Sequence, residues 1–345
     1  MQLDQRFTQA WATQSAWLNF LRPLSSLYGL AISCRRYLYE QKILKSYRAP
    51  VPVMVIGNIT VGGSGKTPLI IELVNFLHYF GLNVAVISRG YGGQGPFPRI
   101  VEDDDTPDIV GDEPVLIVQQ TDVMMAVGPN RQQAIELILQ HTIPDLILSD
   151  DGLQHLALQR DLEWIVLDVD RGLGNQQLLP AGFLREPASR LQTATVIEHG
   201  KAAQTDLTMQ LESCALLPLI ATTKAGTAKT GLNPRPQAGA RVHAVAGIGV
   251  PQRFFNSLKE LGFELIEHAF PDHHDYQPSD LDFDEHLPII TTSKDAVKIQ
   301  RFAHLLPEKD IWILPVQAQL SKACYELLLQ QLKDLNIGIP NLDKA

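Results

Sequence analysis

The sequence is poor in several things, and each shortage rules something out. Its 345 residues hold three cysteines, Cys34, Cys214 and Cys324, far apart and without a CxxC pair. That excludes a disulfide framework and a zinc site of the usual spacing, and it fits a reducing compartment. No run of about 20 apolar residues is unbroken, since Arg22-Pro23 interrupts the best candidate, so a clean transmembrane helix is not expected. No small-residue cleavage site follows that stretch, and Arg35, Arg36, Lys42, Lys45 and Arg48 trail it, which is the wrong layout for a secretory signal. Positive charge is scarce over the main body. Residues 1–50 carry seven Lys/Arg against two Asp/Glu, or +5, which leaves 22 basic against 36 acidic residues, or −14, for the remainder. An acidic body argues against a nucleic-acid partner. Aromatics make up only 7%, but the apolar fraction of 45% is enough for a real core, and the length suits two ordinary domains.

Within the basic start, "SAWLNFLRPLSSLYGLAIS" places Trp17, Phe20, Leu21, Leu24, Leu27, Tyr28 and Ala31 at helical spacing, with Ser15, Asn19, Arg22, Ser26 and Ser33 opposite. Such a helix either packs on the protein's own body or lies in a membrane interface. Trp11, Trp17 and the basic trailer favour the interface, since each Lys/Arg near an anionic leaflet adds roughly 1 kcal/mol.

After residue 50, short β-like runs alternate with helical ones. "VPVMVIG", "NVAVIS", "DVMMAVG", "PDLILSDDG" and "LEWIVLDVD" read as buried strands, and "TPLIIELVNFLHYFG" and "NRQQAIELILQH" read as helices between them. Continuous apolar strands alternating with helices imply a parallel sheet covered on both faces, with ligands at the carboxyl ends of the strands. The small, polar "TTKAGTAKTGLNPRPQAGA" reads as a surface loop or linker, and beyond it a smaller alternation begins at "RVHAVAGIG". The expected organisation is an N-terminal membrane-associating helical segment over 1–48, a P-loop NTPase-type domain over 49–225, a linker over 226–240 and a smaller α/β domain over 241–345.

The chemistry concentrates at the strand ends. "GNITVGGSGKT" sits between a strand and a helix, and Lys66 and Thr67 stand where a P-loop has its phosphate-binding lysine and metal-holding hydroxyl. The strict GxxxxGK[ST] pattern fails at one position, where Thr60 replaces the first glycine. Residues Thr60, Val61, Gly62, Gly63, Ser64, Gly65, Lys66 and Thr67 are therefore expected to bind ATP or GTP. Asp150 and Asp151 end an apolar strand, where a carboxylate can hold the Mg²⁺ that bridges nucleotide phosphates. In "VGDEP", Asp112 suits either a proton acceptor for a hydroxyl substrate or a helix N-cap. "FPDHHDY" gathers Asp272, His273, His274 and Asp275 without the spacing of a metal site. Arg89 and Arg185 lie in loops where an arginine can meet phosphate.

The ordered series "GNITVGGSGKTP", "SRGYGG", "VGDEP", "GPNR", "LSDDGLQH", "LLPAGFLREP", "FPDHHDY" and "TTSKDAVK" resembles the tetraacyldisaccharide 4'-kinase family of lipid A biosynthesis over roughly residues 15–330. The resemblance implies ATP- and Mg²⁺-dependent phosphoryl transfer to the 4'-hydroxyl of a tetraacyl glucosamine disaccharide 1-phosphate, giving lipid IVA. It implies Asp112 and His273 as the catalytic pair, Lys66 on phosphate, and Thr67, Glu113, Asp150 and Asp151 at the metal. Arg185 and Glu186 fall by the nucleotide. It further implies a lipid substrate at an anionic membrane surface on the cytoplasmic face of the inner membrane, and nothing points to an obligate protein partner. One rival is a MinD-like membrane ATPase switch, whose signature lysine is replaced here by Val61. Another is a kinase for a soluble metabolite, for which the N-terminal helix is superfluous.

Overall fold

The computed structural model describes residues 7, 10, 11, 13–223, 226–229, 234–306 and 308–341. Two sheets organise them. In the larger, seven neighbouring strands run parallel, in the spatial order Thr208–Ser213, Thr195–His199, Leu162–Asp168, Val53–Gly57, Leu146–Asp150, Val84–Ser88 and Met124–Val127. Antiparallel strands Val316–Leu320 and Arg99–Ile100 flank the two ends. The three central strands are buried at every residue, because helices cover both sheet faces. One face carries the helices Lys66–Tyr79 and Asp112–Thr121, and the other carries Arg131–Leu139 and the loops on either side of Leu162–Asp168.

The smaller sheet sets Glu264–Ala269, Arg241–Ala246, Ile289–Thr292 and Ile311–Leu314 parallel, with Leu217–Pro218 antiparallel at one edge. At the start of the expected linker, 226–229 pairs with 220–223 as an antiparallel ribbon, while 224–225 and 230–233 lie outside the described residues.

The chain does not divide at residue 241 as the sequence order suggests. Val316–Leu320 and the helix Lys322–Asp334 return to the larger sheet, where Cys324, Leu328 and Leu332 join the same core as Leu69 and Trp164. Trp164 Nε1 donates to Gln331 Oε1 at 2.9 Å. The returning strand covers a sheet edge that would otherwise present open backbone groups.

Residues Ala16–Leu21 form a 3₁₀ turn that leads into the helix Arg22–Glu40, with Pro23 in its first turn, where a missing N–H costs nothing. Its polar side faces the protein. Ser25 is buried and donates to the Leu178 carbonyl at 2.8 Å, and Tyr28 Oη donates to the Arg185 carbonyl at 3.1 Å. The apolar side faces outward: Phe20 is 86% exposed and Leu27 63% exposed, with Trp17, Leu24 and Leu30 also exposed. Among the described residues no helix is long and apolar enough to cross a membrane.

Candidate active site

The carboxyl end of Val53–Gly57 opens into the loop Asn58–Gly65, which is pinned to a neighbouring segment. Val61 N donates to the Phe183 carbonyl at 2.9 Å, and Arg185 N donates to the Ile59 carbonyl at 2.7 Å. Thr60 is buried, bridges to Leu184 and has no positive φ, so the absent first glycine is not needed at that position. Gly65 is needed: it caps the helix Lys66–Tyr79 at φ +86°, and a Cβ there would come within 2.9 Å of Met209 Cε. No side chain caps this helix, so its first N–H groups are available to an anion. Lys66 Nζ lies 3.3 Å from Asn58 Oδ1 and 3.5 Å from Asp151 Oδ1.

Asp150 and Asp151 end the adjacent strand in different states. Asp151 accepts two hydrogen bonds from Arg185, at 2.7 and 3.0 Å. Burial works against its charge, but Lys66 and Arg185 overcome that and hold it well below the usual carboxylate range. Asp150 is fully enclosed. Burial pushes it up to about 7, and the charges of Glu113 and Asp151 add to this. Its Oδ2 accepts from Ser88 Oγ at 3.1 Å, while Oδ1 has no partner. A buried carboxylate oxygen left bare, beside a second carboxylate, suits a hard cation.

The second cluster spans the two sheets. Gly111, at φ +97°, lies so close to the Tyr91 carbonyl that a Cβ would sit 2.5 Å from it, and the helix Asp112–Thr121 starts there. Gly111 is the N-cap, and Asp112 is the first residue inside the helix. Asp112 Oδ2 meets His273 Nδ1 at 2.9 Å. His274 instead pairs with Asp280 at 2.9 Å and stacks on Phe270. Burial of Asp112 opposes its charge, but the His273 hydrogen bond and the Lys294 and Lys298 charges bring it down to about 2. His273 is raised by the same hydrogen bond.

Lys294, whose role the sequence leaves open, joins this cluster. Its Nζ is 3.1 Å from Glu113, 3.6 Å from Asp272, 3.9 Å from Asp112 and 3.4 Å from His273 Nε2. Its only sequence signal is its place just past the carboxyl end of a buried strand. Asn58, Ser88 and Arg131 lie inside the quoted segments but were not singled out, because an isolated polar residue does not show its partner in the sequence. Glu186 is committed elsewhere: it pairs with Arg36 and Arg190 and accepts from Gln154 Nε2 at 2.8 Å. Thr67 is half-buried beside Lys66 with no hydrogen bond from its hydroxyl among the described residues. A Cβ on Gly249 would lie 3.1 Å from Gly63 N and 3.2 Å from Asp272 Oδ2, so the smaller unit closes directly on the phosphate loop. The structure thus holds an uncapped helix start after a glycine-rich loop, a pair of strand-end carboxylates and an Asp–His pair that joins the two units.

A family model described as tetraacyldisaccharide-1-P 4'-kinase matches residues 17–333. A tetraacyldisaccharide 4'-kinase of Psychrobacter arcticus is 50% identical, covering 98% of this chain and 97% of its own length. One from Pasteurella multocida is 47% identical over 90% of this chain and 94% of its own. The crystal structure of LpxK from Aquifex aeolicus in complex with ATP superposes with a TM-score of 0.72 at 28% identity, covering 93% of this chain and all of that one.

Proposed function

Because the chain belongs to the tetraacyldisaccharide-1-P 4'-kinase family, we propose a division of labour among its residues for an ATP-dependent transfer to the 4'-hydroxyl of a tetraacyl disaccharide 1-phosphate in lipid A biosynthesis. The uncapped helix start at Lys66, with Gly62–Gly65 leaving room, takes the nucleotide phosphates, and Lys66 turns from Asp151 and Asn58 towards them. Glu113, Asp150, Asp151 and the Thr67 hydroxyl are the groups that would hold Mg²⁺. Among the described residues no three His, Cys, Asp or Glu side chains converge ready-made on one point, so phosphate oxygens complete the set. When bound, the ion neutralises charge on the β- and γ-phosphates.

Asp112 receives the proton of the 4'-hydroxyl. His273 donates to Asp112 Oδ2 and fixes the direction of the carboxylate. A carboxylate near 2 is a weak base, but in a loose phosphoryl transfer the proton leaves late, and incoming phosphate charge raises its basicity. Lys294, between Glu113 and His273, balances the negative charge of this corner. Because His273 and Lys294 come from the smaller unit, closure assembles the site and excludes water.

The outward apolar side of Arg22–Glu40 favours a further reading: the helix lies on the anionic cytoplasmic surface of the inner membrane, and the acyl chains stay in the bilayer.

The observation that carries the mechanism is the 2.9 Å contact of Asp112 with His273 across the cleft. ATP turnover in mixed micelles, with and without the tetraacyl disaccharide 1-phosphate, tests it. Acceptor-dependent transfer should fall by about 10²–10⁴-fold in Asp112→Ala. Hydrolysis that ignores the acceptor and the substitution would return the weight to an ATPase switch.

A further inference from the structure

The helix Ser293–Ile299 of the smaller unit packs against Asp112–Thr121 of the larger one. Two lysines one turn apart on it, Lys294 and Lys298, reach the same carboxylate oxygen: their Nζ atoms lie 3.9 and 3.8 Å from Asp112 Oδ2. Their surroundings differ. Lys294 is shared with Glu113 and Asp272, whereas Lys298 lies between Asp112 and Asp295, with its side chain only 7% exposed. Its Nζ sits 3.0 Å from Asp295 Oδ1 and 5.4 Å from the centre of the Tyr276 ring. The contact with Asp295 lacks hydrogen-bond geometry, so the N–H groups of the ammonium are not committed to it.

Behind the lysine the structure is fixed. Asp295 is fully buried, and its Oδ2 accepts from Gly247 N at 2.9 Å and from Thr292 Oγ1 at 2.7 Å. A Cβ on Gly247 would lie 2.7 Å from Tyr276 Oη and 3.1 Å from Asp295 Oδ1, so the glycine keeps open the space that both groups fill. A lysine–aspartate pair that only braced this short helix would serve as well in solvent, where no desolvation opposes it. Burying the ammonium between carboxylates of two units is costly and suits a charge that must stay in one place. His273, the hydrogen-bonded partner of Asp112 Oδ2, reaches in from a turn at φ +57° and is 32% exposed. Lys298 reaches the same oxygen from a helix and is nearly enclosed.

We propose that Lys298 is a positioning residue for Asp112: backed by Asp295, it grips Oδ2 from the smaller unit and leaves Oδ1 for the acceptor hydroxyl. This rests on the kinase reading above. Oδ1 accepts one hydrogen bond, from Glu113 N at 2.9 Å, and none of the cations lies on its side. A carboxylate held by one histidine on a turn can rock about its last bond, and its two oxygens then exchange places. A second cation on Oδ2, carried by a helix, removes that freedom, and a helix holds such geometry more tightly than a loop. Lys298 therefore acts through Asp112.

The test uses the full chain with ATP and the tetraacyl disaccharide 1-phosphate in mixed micelles, and reads kcat, both KM values and the thermal midpoint. Lys298→Met alone would strand Asp295 as a buried unpaired charge, so the main variant is Asp295→Asn/Lys298→Met, which removes both charges at similar volume. It should melt close to wild type, with kcat lower by about 10- to 100-fold and both KM values within about twofold. Lys298→Arg, which keeps the charge, should recover most of that loss. In an Asp112→Asn background the same double change should cost less than about twofold more, because the carboxylate it positions is gone. A double variant with wild-type kcat overturns the proposal and leaves the pair a helix brace. So does an ATP KM that rises as kcat falls, which would place Lys298 with the nucleotide. An arginine variant that melts like wild type but is as slow as the double variant overturns it too. If wild type shows no acceptor-dependent transfer at all, the kinase reading has failed and the proposal with it, an outcome told apart by wild type alone.

Discussion

Asp112 and Asp150 are both buried carboxylates, yet their neighbours drive them apart. Asp112 has His273, Lys294 and Lys298 around it and stays ionised down to about 2. Asp150 faces Glu113 and Asp151 and rises to about 7, a state that a cation would reverse. His155 gives the same physics a stability readout. Its folded value of about 4 lies below the ordinary 6.5. The unfolded chain therefore binds more protons between these values, and stability is fully present above about 6.5 and lost as pH falls towards 4. Comparing urea midpoints at pH 7 and pH 4.5, His155→Gln should lose less stability than wild type, by about 1–2 kcal/mol after solvent screening. A parallel loss in both proteins would refute the shift. At this scale the sequence was legible where residue type and motif coincide, as at Lys66 and Asp112. It was not legible at Lys294 or Asn58, whose contacts arise from a chain separation of 181 residues to Glu113 in one case and from a turn in the other.

For whole elements, periodicity located the N-terminal helix but not its orientation. The same spacing is compatible with an apolar face packed inward, and only the anchoring of Ser25 and Tyr28 to the body turns Phe20, Leu24 and Leu27 outward. Replacing Leu24 and Leu27 with aspartate should leave the thermal midpoint nearly unchanged, since both are exposed. Flotation with vesicles containing anionic lipid should drop by about 10-fold or more, from lost apolar burial and reduced positive charge. Unchanged flotation would remove the helix from membrane binding. The buried strands were readable because parallel strands covered on both faces are uniformly apolar. The short edge strands Arg99–Ile100 and Leu217–Pro218 carry too few residues to show any period.

The molecule as a whole holds two mostly parallel sheets, and that much follows from alternating strands and helices. The return of 316–334 to the larger sheet does not, because its pairing with Thr208–Ser213 is set by distant partners rather than by local pattern. Truncation before Val316 should therefore damage the phosphate-loop domain as well as the smaller one. It would strip Cys324, Leu328 and Leu332 from the core around Leu69 and Trp164. Loss of cooperative unfolding and of ATP binding is expected, and a truncated protein that binds ATP normally would contradict this. The same return also sets a timetable during synthesis. The edge at Thr208–Ser213 emerges from the ribosome about 100 residues ahead of the strand that covers it, an interval of roughly 5–20 s at ordinary elongation rates. Throughout that interval the nascent chain carries an open sheet edge together with the apolar N-terminal helix, so its first encounters, with a chaperone or with the bilayer, precede completion of the phosphate-loop domain.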